Sequence, residues 1–286
     1  MEKATLVLEG GATRGVFTSG VLDYLMEKDL YMSHVIGVSA GSCNGVDYVS
    51  KQIGRTKECM IYDDDEFDYY FGFRKFVKEK SVLNMDLIFD RFPNEIYPFD
   101  YDTYFQSEIK TEWVVTNCET GKPEYMDDKK EKEKLMKICR ASCSMPLLSP
   151  IVKIDGTPYL DGGLADSIPL KRAITYGNKK IVIISTKDRG YRKKLVTRGQ
   201  RKIYERAYKK YPNLVKTIMY RPFHYNAVIS HIEKLEDEGK VFVIRPEIPL
   251  ISRLERDTAK LTKFYEHGYE QGEKYFEDLQ NYLKCR

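Results

Sequence analysis

No apolar run in this sequence approaches the roughly 20 residues that a membrane-spanning helix needs, so any contact with lipid is expected to be peripheral. Six cysteines (43, 59, 118, 139, 143 and 285) include no C-x-x-C pair and no histidine at metal-ligand spacing. Cys139 and Cys143 stand one helical turn apart, which alone makes no metal site. With Met1-Glu2-Lys3 offering no secretory leader, reduced thiols in a cytoplasm are expected. Internal repeats and low-complexity linkers are absent. The net charge of +4 is too small to name a partner. What is present is 42% hydrophobic and 31% charged residues over 286 positions, enough for one large core or one domain with a substantial appendage.

The charge is unevenly spread. Between 187 and 221 stand thirteen Lys and Arg against Asp188 and Glu205, or +11, which leaves about −7 for the rest. Such a stretch suits an anionic membrane surface or phosphate headgroups, or is a solvated helical face. No nucleic-acid module accompanies it.

Along the chain, Ala4–Leu8 reads as a buried strand and Glu9–Gly15 (EGGATRG) as a glycine-rich turn. Val16, Phe17, Val21, Leu22, Leu25 and Met26 then recur at helical spacing. Val35–Val38 is a second strand, with a helix after Ser39. Strand, loop, helix, strand, turn and helix predict an α/β fold with parallel strands. Trp113–Cys118 and Lys122–Met126 flank a hairpin turn, as do Ile151–Ile154 and Thr157–Leu160 around Asp155-Gly156. A helix is expected to end near Met145-Pro146. Lys180–Thr186 and Val241–Ile244 are further strands. A long last helix is expected from about Arg253, with Leu254, Leu261, Phe264, Gly268, Gly272, Tyr275, Leu279 and Leu283 on one stripe whose glycines permit close helix packing. The aromatic and acidic segment Tyr62–Phe76 is a candidate lid or, equally, core; its Asp63–Glu66 cluster lacks an EF-hand pattern.

Gly37-Val38-Ser39-Ala40-Gly41 is a G-x-S-x-G elbow. A nucleophilic serine there sits on a strained strand-to-helix turn, and flanking side chains would clash. The pentapeptide is weak evidence alone and gains weight from lying between a strand and a helix. Gly10, Gly11, Ala12, Arg14 and Gly15 belong to the loop opening the first helix, whose N–H groups can face a developing oxyanion. A dinucleotide-binding reading needs an acidic residue at the end of the second strand. Gly37-Val38-Ser39 stands there instead, so that reading fails; a plain tight turn explains the glycines but not the nearby elbow. Arg14 either holds the loop or assists the oxyanion.

A base is needed. His34, His224, His231 and His267 are the only histidines, and a Ser-His-Asp hydrolase would use one of the last three. Only one strand and one helix precede this elbow, against several in an α/β-hydrolase. Asp161-Gly162-Gly163 offers an alternative: an aspartate at a strand end, followed by glycines that let another loop approach, can bond the serine directly. Burial must raise its pKa above the solvated 3.9 for it to work at neutral pH.

Together these motifs resemble the patatin-like phospholipase family. The resemblance covers roughly residues 4 to 186 and extends to Ala141-Ser142-Cys143-Ser144-Met145-Pro146 and Asp166-Ser167-Ile168-Pro169. Ser252-Arg253-Leu254-Glu255-Arg256-Asp257 is similar to the tail of a bacterial subgroup. The resemblance implies a three-layer α/β/α patatin-like fold with a mainly parallel central sheet and C-terminal helices: a catalytic domain over 1–186 with a mostly helical region, 187–286, packed on it. It implies a lipid acyl hydrolase working through a Ser39–Asp161 dyad without histidine, metal or cofactor, with the oxyanion at the amides around Gly11 and Ala12. Gly37, Gly41, Gly162 and Gly163 would support the elbow and the acid loop. The expected partner is a lipid or ester substrate, with any membrane contact at the inner face; oligomeric state is left open. Two departures stand out. Glu9 replaces an aspartate common in plant members, and Ala12 replaces a glycine, so the loop is not expected to use a positive φ there freely. The rivals are a triad hydrolase and a catalytically silent lipid- or partner-binding protein of the same fold.

Overall fold

The computed structural model describes residues 1–62 and 81–285. The expected lid segment, apart from Tyr62, and its Asp63–Glu66 cluster lie outside the described residues. Eight strands form one sheet in the order β5-β6-β3-β2-β1-β7-β8, with β4 paired to β3. They are β1 (Glu2–Leu8), β2 (Met32–Val38), β3 (Lys110–Asn117), β4 (Pro123–Met126), β5 (Val152–Ile154), β6 (Thr157–Asp161), β7 (Lys180–Ile184) and β8 (Phe242–Ile244). The run β3-β2-β1-β7-β8 is parallel. Beyond it, β6 and β4 pair antiparallel to β3, and β5 to β6. Both expected hairpins are present, the second turned by Asp155 (φ 48°) and Gly156 (φ 85°).

Helices cover both faces, which is why the central strands read as continuous apolar runs. Leu6, Leu8, Val35 and Trp113 point into a core shared with α1 (Gly15–Glu27), α2 (Ala40–Val49), α6 (Lys132–Ser142) and α10 (Thr258–Lys274). Val7, Ile36, Val38 and Val114 point the other way, against α7 (Leu170–Tyr176) and α9 (Pro212–Asp237). The result is three layers, α/β/α. Shorter helices α3 (Arg55–Met60), the π-helical α4 (Leu87–Ile96) and α5 (Tyr101–Gln106) follow α2, while α8 (Arg198–Ala207) precedes α9.

The C-terminal region is built into this frame. It supplies β8 to the sheet edge, and α10 lies against α1 with backbones touching. A Cβ on Gly268 would stand 2.1 Å from the Phe17 carbonyl oxygen, and one on Gly20 the same distance from that of Tyr265. The close packing expected of the stripe is there, but the helix is shorter and broken. It begins at Thr258, where the Asp257 carboxylate accepts from Lys260 N at 3.1 Å, and it breaks at Tyr275 before α11 (Phe276–Lys284). Leu254 is off the helix and 39% exposed, because residues 251–255 are tied to the glycine loop. No helix among the described residues is long and apolar enough to cross a membrane.

Candidate active site

β1 lies between β2 and β7, and the loops leaving these three strands meet outside their carboxyl ends, where open α/β sheets bind ligands. β2 delivers Ser39 into the turn before α2 with φ 55° and ψ −127°. A non-glycine residue there stores on the order of 1–3 kcal/mol, which the surroundings must hold. They do so from both sides. Ser39 N donates to Ser142 Oγ at 2.9 Å, which donates to the Val114 carbonyl at 2.7 Å, and Ser42 Oγ donates to the Ser39 carbonyl at 2.6 Å. Gly41 is required by close approach, since its Cβ would stand 2.3 Å from Leu8 O; one on Gly37 would meet Gly41 O at 2.6 Å.

Asp161 ends β6, opposite Val115 of β3. Its amide donates to Ser144 O at 2.8 Å, and its carbonyl accepts from Thr116 Oγ1 at 2.8 Å. Its Oδ1 accepts from Gly163 N at 2.7 Å, and the Ser39 hydroxyl stands on the carboxylate's side of the same cavity, close enough to pull its pKa down. Gly162 sits hard against β3, its Cβ position 2.0 Å from Val114 O. Burial pushes the Asp161 carboxyl above its usual range, against the lowering pull of Arg221, of Ser39 and of the Gly163 hydrogen bond. The two residues singled out some 120 positions apart thus line the same cavity.

The glycine loop lies beside them. A Cβ on Gly10 would stand 2.8 Å from that of Ser39, and one on Gly15 2.8 Å from that of Ala40. The Gly10 and Gly11 amides donate to no acceptor among the described residues, whereas those of Thr13 and Arg14 are used, by Arg253 O at 3.3 Å and Gly11 O at 3.2 Å. Ala12 takes φ 51° despite its Cβ. The loop keeps the glycine-type conformation with alanine in place, though not freely, since a Cβ there costs about 1 kcal/mol. Arg14 holds the loop, its Nε donating to Ile251 O at 2.7 Å, while Thr13 Oγ1 donates to Ser252 O at 3.1 Å.

Behind the loop, buried Glu9 accepts from Ser185 Oγ (2.6 Å), Thr186 N (2.9 Å) and Tyr225 OH (2.8 Å), with Lys187 Nζ 3.6 Å away. Burial pushes its carboxyl up, but Lys187, Lys193 and these hydrogen bonds outweigh that and hold it below the usual range. Burial brings Lys187 down to about 8.

Among the described residues, two cavities open from Ser39. One, about 130 Å³, is walled by Val46, Met60, Phe89, Phe92 and Met136 among others. The second, about 520 Å³, contains Asp161 and the glycine loop and is lined by Lys187, Lys193, Arg221 and Arg253. Neither is lined by a histidine among the described residues. His267 Nε2 accepts from Glu247 N at 3.0 Å, His34 is buried at Thr5, and His224 and His231 are exposed on α9.

Several residues here were not legible as functional. Ser142 and Ser144 belong to a run noted only for its likeness to a family motif, yet one braces the elbow and the other the acid. That bracing ends α6 at Ser142, ahead of the expected Met145-Pro146. Thr116 had no signal, and Arg221 and Arg253 stood out only as members of a basic region and a tail. Cys143 has its sulfur 3.6 Å from that of Cys43, not one helical turn away at Cys139.

A family model described as "Patatin-like phospholipase" matches residues 6–174, and one described as "Domain of unknown function (DUF6363)" matches 211–284. The chain is 28% identical to the uncharacterized protein YjjU of Escherichia coli K12 over 261 residues, 87% of this chain and 70% of that one. It is 23% identical to lysophospholipase NTE1 of Saccharomyces cerevisiae over 96% of this chain but only 16% of the yeast protein. The lysophospholipase nte1 of Aspergillus terreus is likewise 23% identical, over 96% of this chain and 18% of its own length. The crystal structure of VipD from Legionella pneumophila has the same fold, with a TM-score of 0.51 at 12% identity over 97% of this chain and 67% of that one. A family match over more than half of the chain, reached independently of the elbow, loop and acid geometry, places this chain in the patatin-like phospholipase family.

Proposed function

We propose that the protein hydrolyses carboxylic esters of lipids by an acyl-enzyme route. The observation that carries the reading is the strained Ser39 sharing one cavity with the buried Asp161 carboxylate and the unused Gly10 and Gly11 amides. Ser39 Oγ attacks the ester carbonyl while Asp161 takes its proton. The glycine-loop amides receive the oxyanion, and the leaving alcohol recovers the proton from Asp161. Water, deprotonated by the same carboxylate, then releases the acid. The apolar cavity suits the acyl chain. The names of the fungal relatives, lysophospholipases, support a lipid substrate.

The test is a fluorophosphonate probe followed by a hydrolysis panel of aryl esters, monoacylglycerols and phospholipids, run beside Ser39→Ala. Labelling that persists in Ser39→Ala, or turnover unchanged by it, overturns the assignment.

A peripheral contact with anionic membrane fits one further observation. α8 has no buried residue, and Leu195 (58% exposed) and Ile203 (55% exposed) stand among Arg198, Arg201 and Lys202. Gln200 and Tyr204 of this helix line the mouth of the 520 Å³ cavity. Co-sedimentation with vesicles should rise with anionic lipid content; binding indifferent to it ends this part of the reading.

A further inference from the structure

The cationic cavity holds more positive charge than its carboxylates use. Glu9 is satisfied by Ser185, Thr186, Tyr225 and the nearby Lys187, and Asp161 accepts from Gly163 N. Arg14 is spent on a backbone carbonyl, and Arg192 pairs with Glu233 at 2.6 Å. Left without a hydrogen bond or ion pair from the side chain are Arg221, Arg253, Lys193 and the exposed Lys194, with Asp161 acting on Arg221 and Glu9 on Lys193 only through space. Arg221 has a solvent-inaccessible Nε that donates to none of the described residues, and neither guanidinium closes an ion pair among them. The Lys193 ammonium rests 3.4 Å from the centroid of the Tyr225 ring.

An arginine nitrogen withdrawn from water without a hydrogen-bond acceptor is costly, and proteins retain it where something else completes the pairing. These groups also repel one another. Burial lowers the pKa of Arg221 and Lys193, with Arg253 acting on both and Arg221 on Lys193 in the same direction. All three line the cavity that contains Ser39 and Asp161. An oxyanion relieves both costs at once, and the planar guanidinium fork fits phosphate oxygens.

We propose that Arg221, Arg253 and Lys193, supplied by the C-terminal region, form a phosphate subsite next to the nucleophile, so that the enzyme selects esters carrying a phosphate group. The proposal rests on Ser39 being the nucleophile. It concerns residues beyond position 174, where the match to the patatin-like family model ends. A bound phosphate would set the ester at Ser39 with its acyl chain directed to the apolar cavity.

The test compares two monomeric substrates differing only in phosphate, dihexanoylglycerol 3-phosphate and dihexanoylglycerol, with inorganic phosphate as competitor against p-nitrophenyl butyrate. The phosphate-bearing ester should have the lower KM by roughly tenfold or more, as expected of charge-assisted hydrogen bonds. Arg253→Gln, an exposed position that spares the core, and Arg221→Met should each shrink that KM ratio several-fold, kcat for the neutral ester changing less than KM for the charged one. A preference between the esters assigns the subsite to a headgroup. Competition by inorganic phosphate without such a preference assigns it to free phosphate. Equal KM values with no competition overturn the proposal, as does a ratio that survives both substitutions. Should neither ester be hydrolysed and Ser39 resist the fluorophosphonate, the hydrolase reading has failed. The subsite is then still tested by titrating inorganic phosphate into Ser39→Ala and Ser39→Ala/Arg253→Gln proteins by calorimetry; no difference between them overturns it.

Discussion

The two cavities that meet at Ser39 have opposite characters and different origins. The apolar one is built mainly by α2, α3, α4 and α6, within the N-terminal half. The cationic one takes its positive charges, Arg14 apart, from residues 187–253, in the segments around α8, α9 and β8. Under the proposed function, Ser39 between an oily wall and a positive wall suits an amphipathic ester held by both ends. The family-matched part of the chain supplies Ser39, Asp161 and one wall, and the C-terminal region supplies most of the other.

The largest effect should come from the junction itself. Asp161→Asn keeps the shape but removes the proton acceptor, and turnover of p-nitrophenyl butyrate should fall by about 10⁴ or more. Circular dichroism should remain native. A variant that keeps even a tenth of the activity makes the two-wall comparison irrelevant to catalysis.

The apolar wall is tested by filling it. Met60→Trp should lower the preference for long over short acyl esters by about tenfold, as one or two methylenes of lost pocket are worth. Unaltered chain-length selectivity places the acyl group elsewhere.

On the cationic wall, Arg221 pulls the Asp161 pKa down, so its removal should raise it further. A base works only when deprotonated, so activity is lost as pH falls through its pKa. The acid limb of kcat/KM in Arg221→Met should therefore move to higher pH; a limb that stays or moves down removes the coupling between Arg221 and the acid.

Smallest is the loop between the walls. Ala12→Gly relieves the positive φ and should stabilise the protein by about 1 kcal/mol at most, offset in part by glycine's greater unfolded freedom. Urea denaturation reads it; destabilisation means that the Ala12 methyl has a packing role.

The elements legible in the sequence are those fixed by short-range rules. Leu6-Val7-Leu8 and Val35–Val38 read as strands because both faces are covered. Gly37-Val38-Ser39-Ala40-Gly41 read as an elbow because tight turns leave no room for a Cβ, and Asp155-Gly156 gave a hairpin for the same kind of reason. The last helix was misplaced because its start depends on residues 251–255 crossing to Thr13 and Arg14, some 240 positions away.

By itself, then, the sequence determined the nucleophilic turn, the glycine loop and the alternation of strands and helices, since each arises from backbone sterics and periodicity within a dozen residues. The tertiary structure alone decided that Asp161 shares a cavity with Ser39, that Ser142 and Ser144 brace the pair, and that Arg221 and Arg253 face it. Apart from Ser144 and Asp161, which are 17 positions apart, those relations join segments 60 to 214 residues apart, and partnership at that separation is created by packing and leaves no local pattern to read.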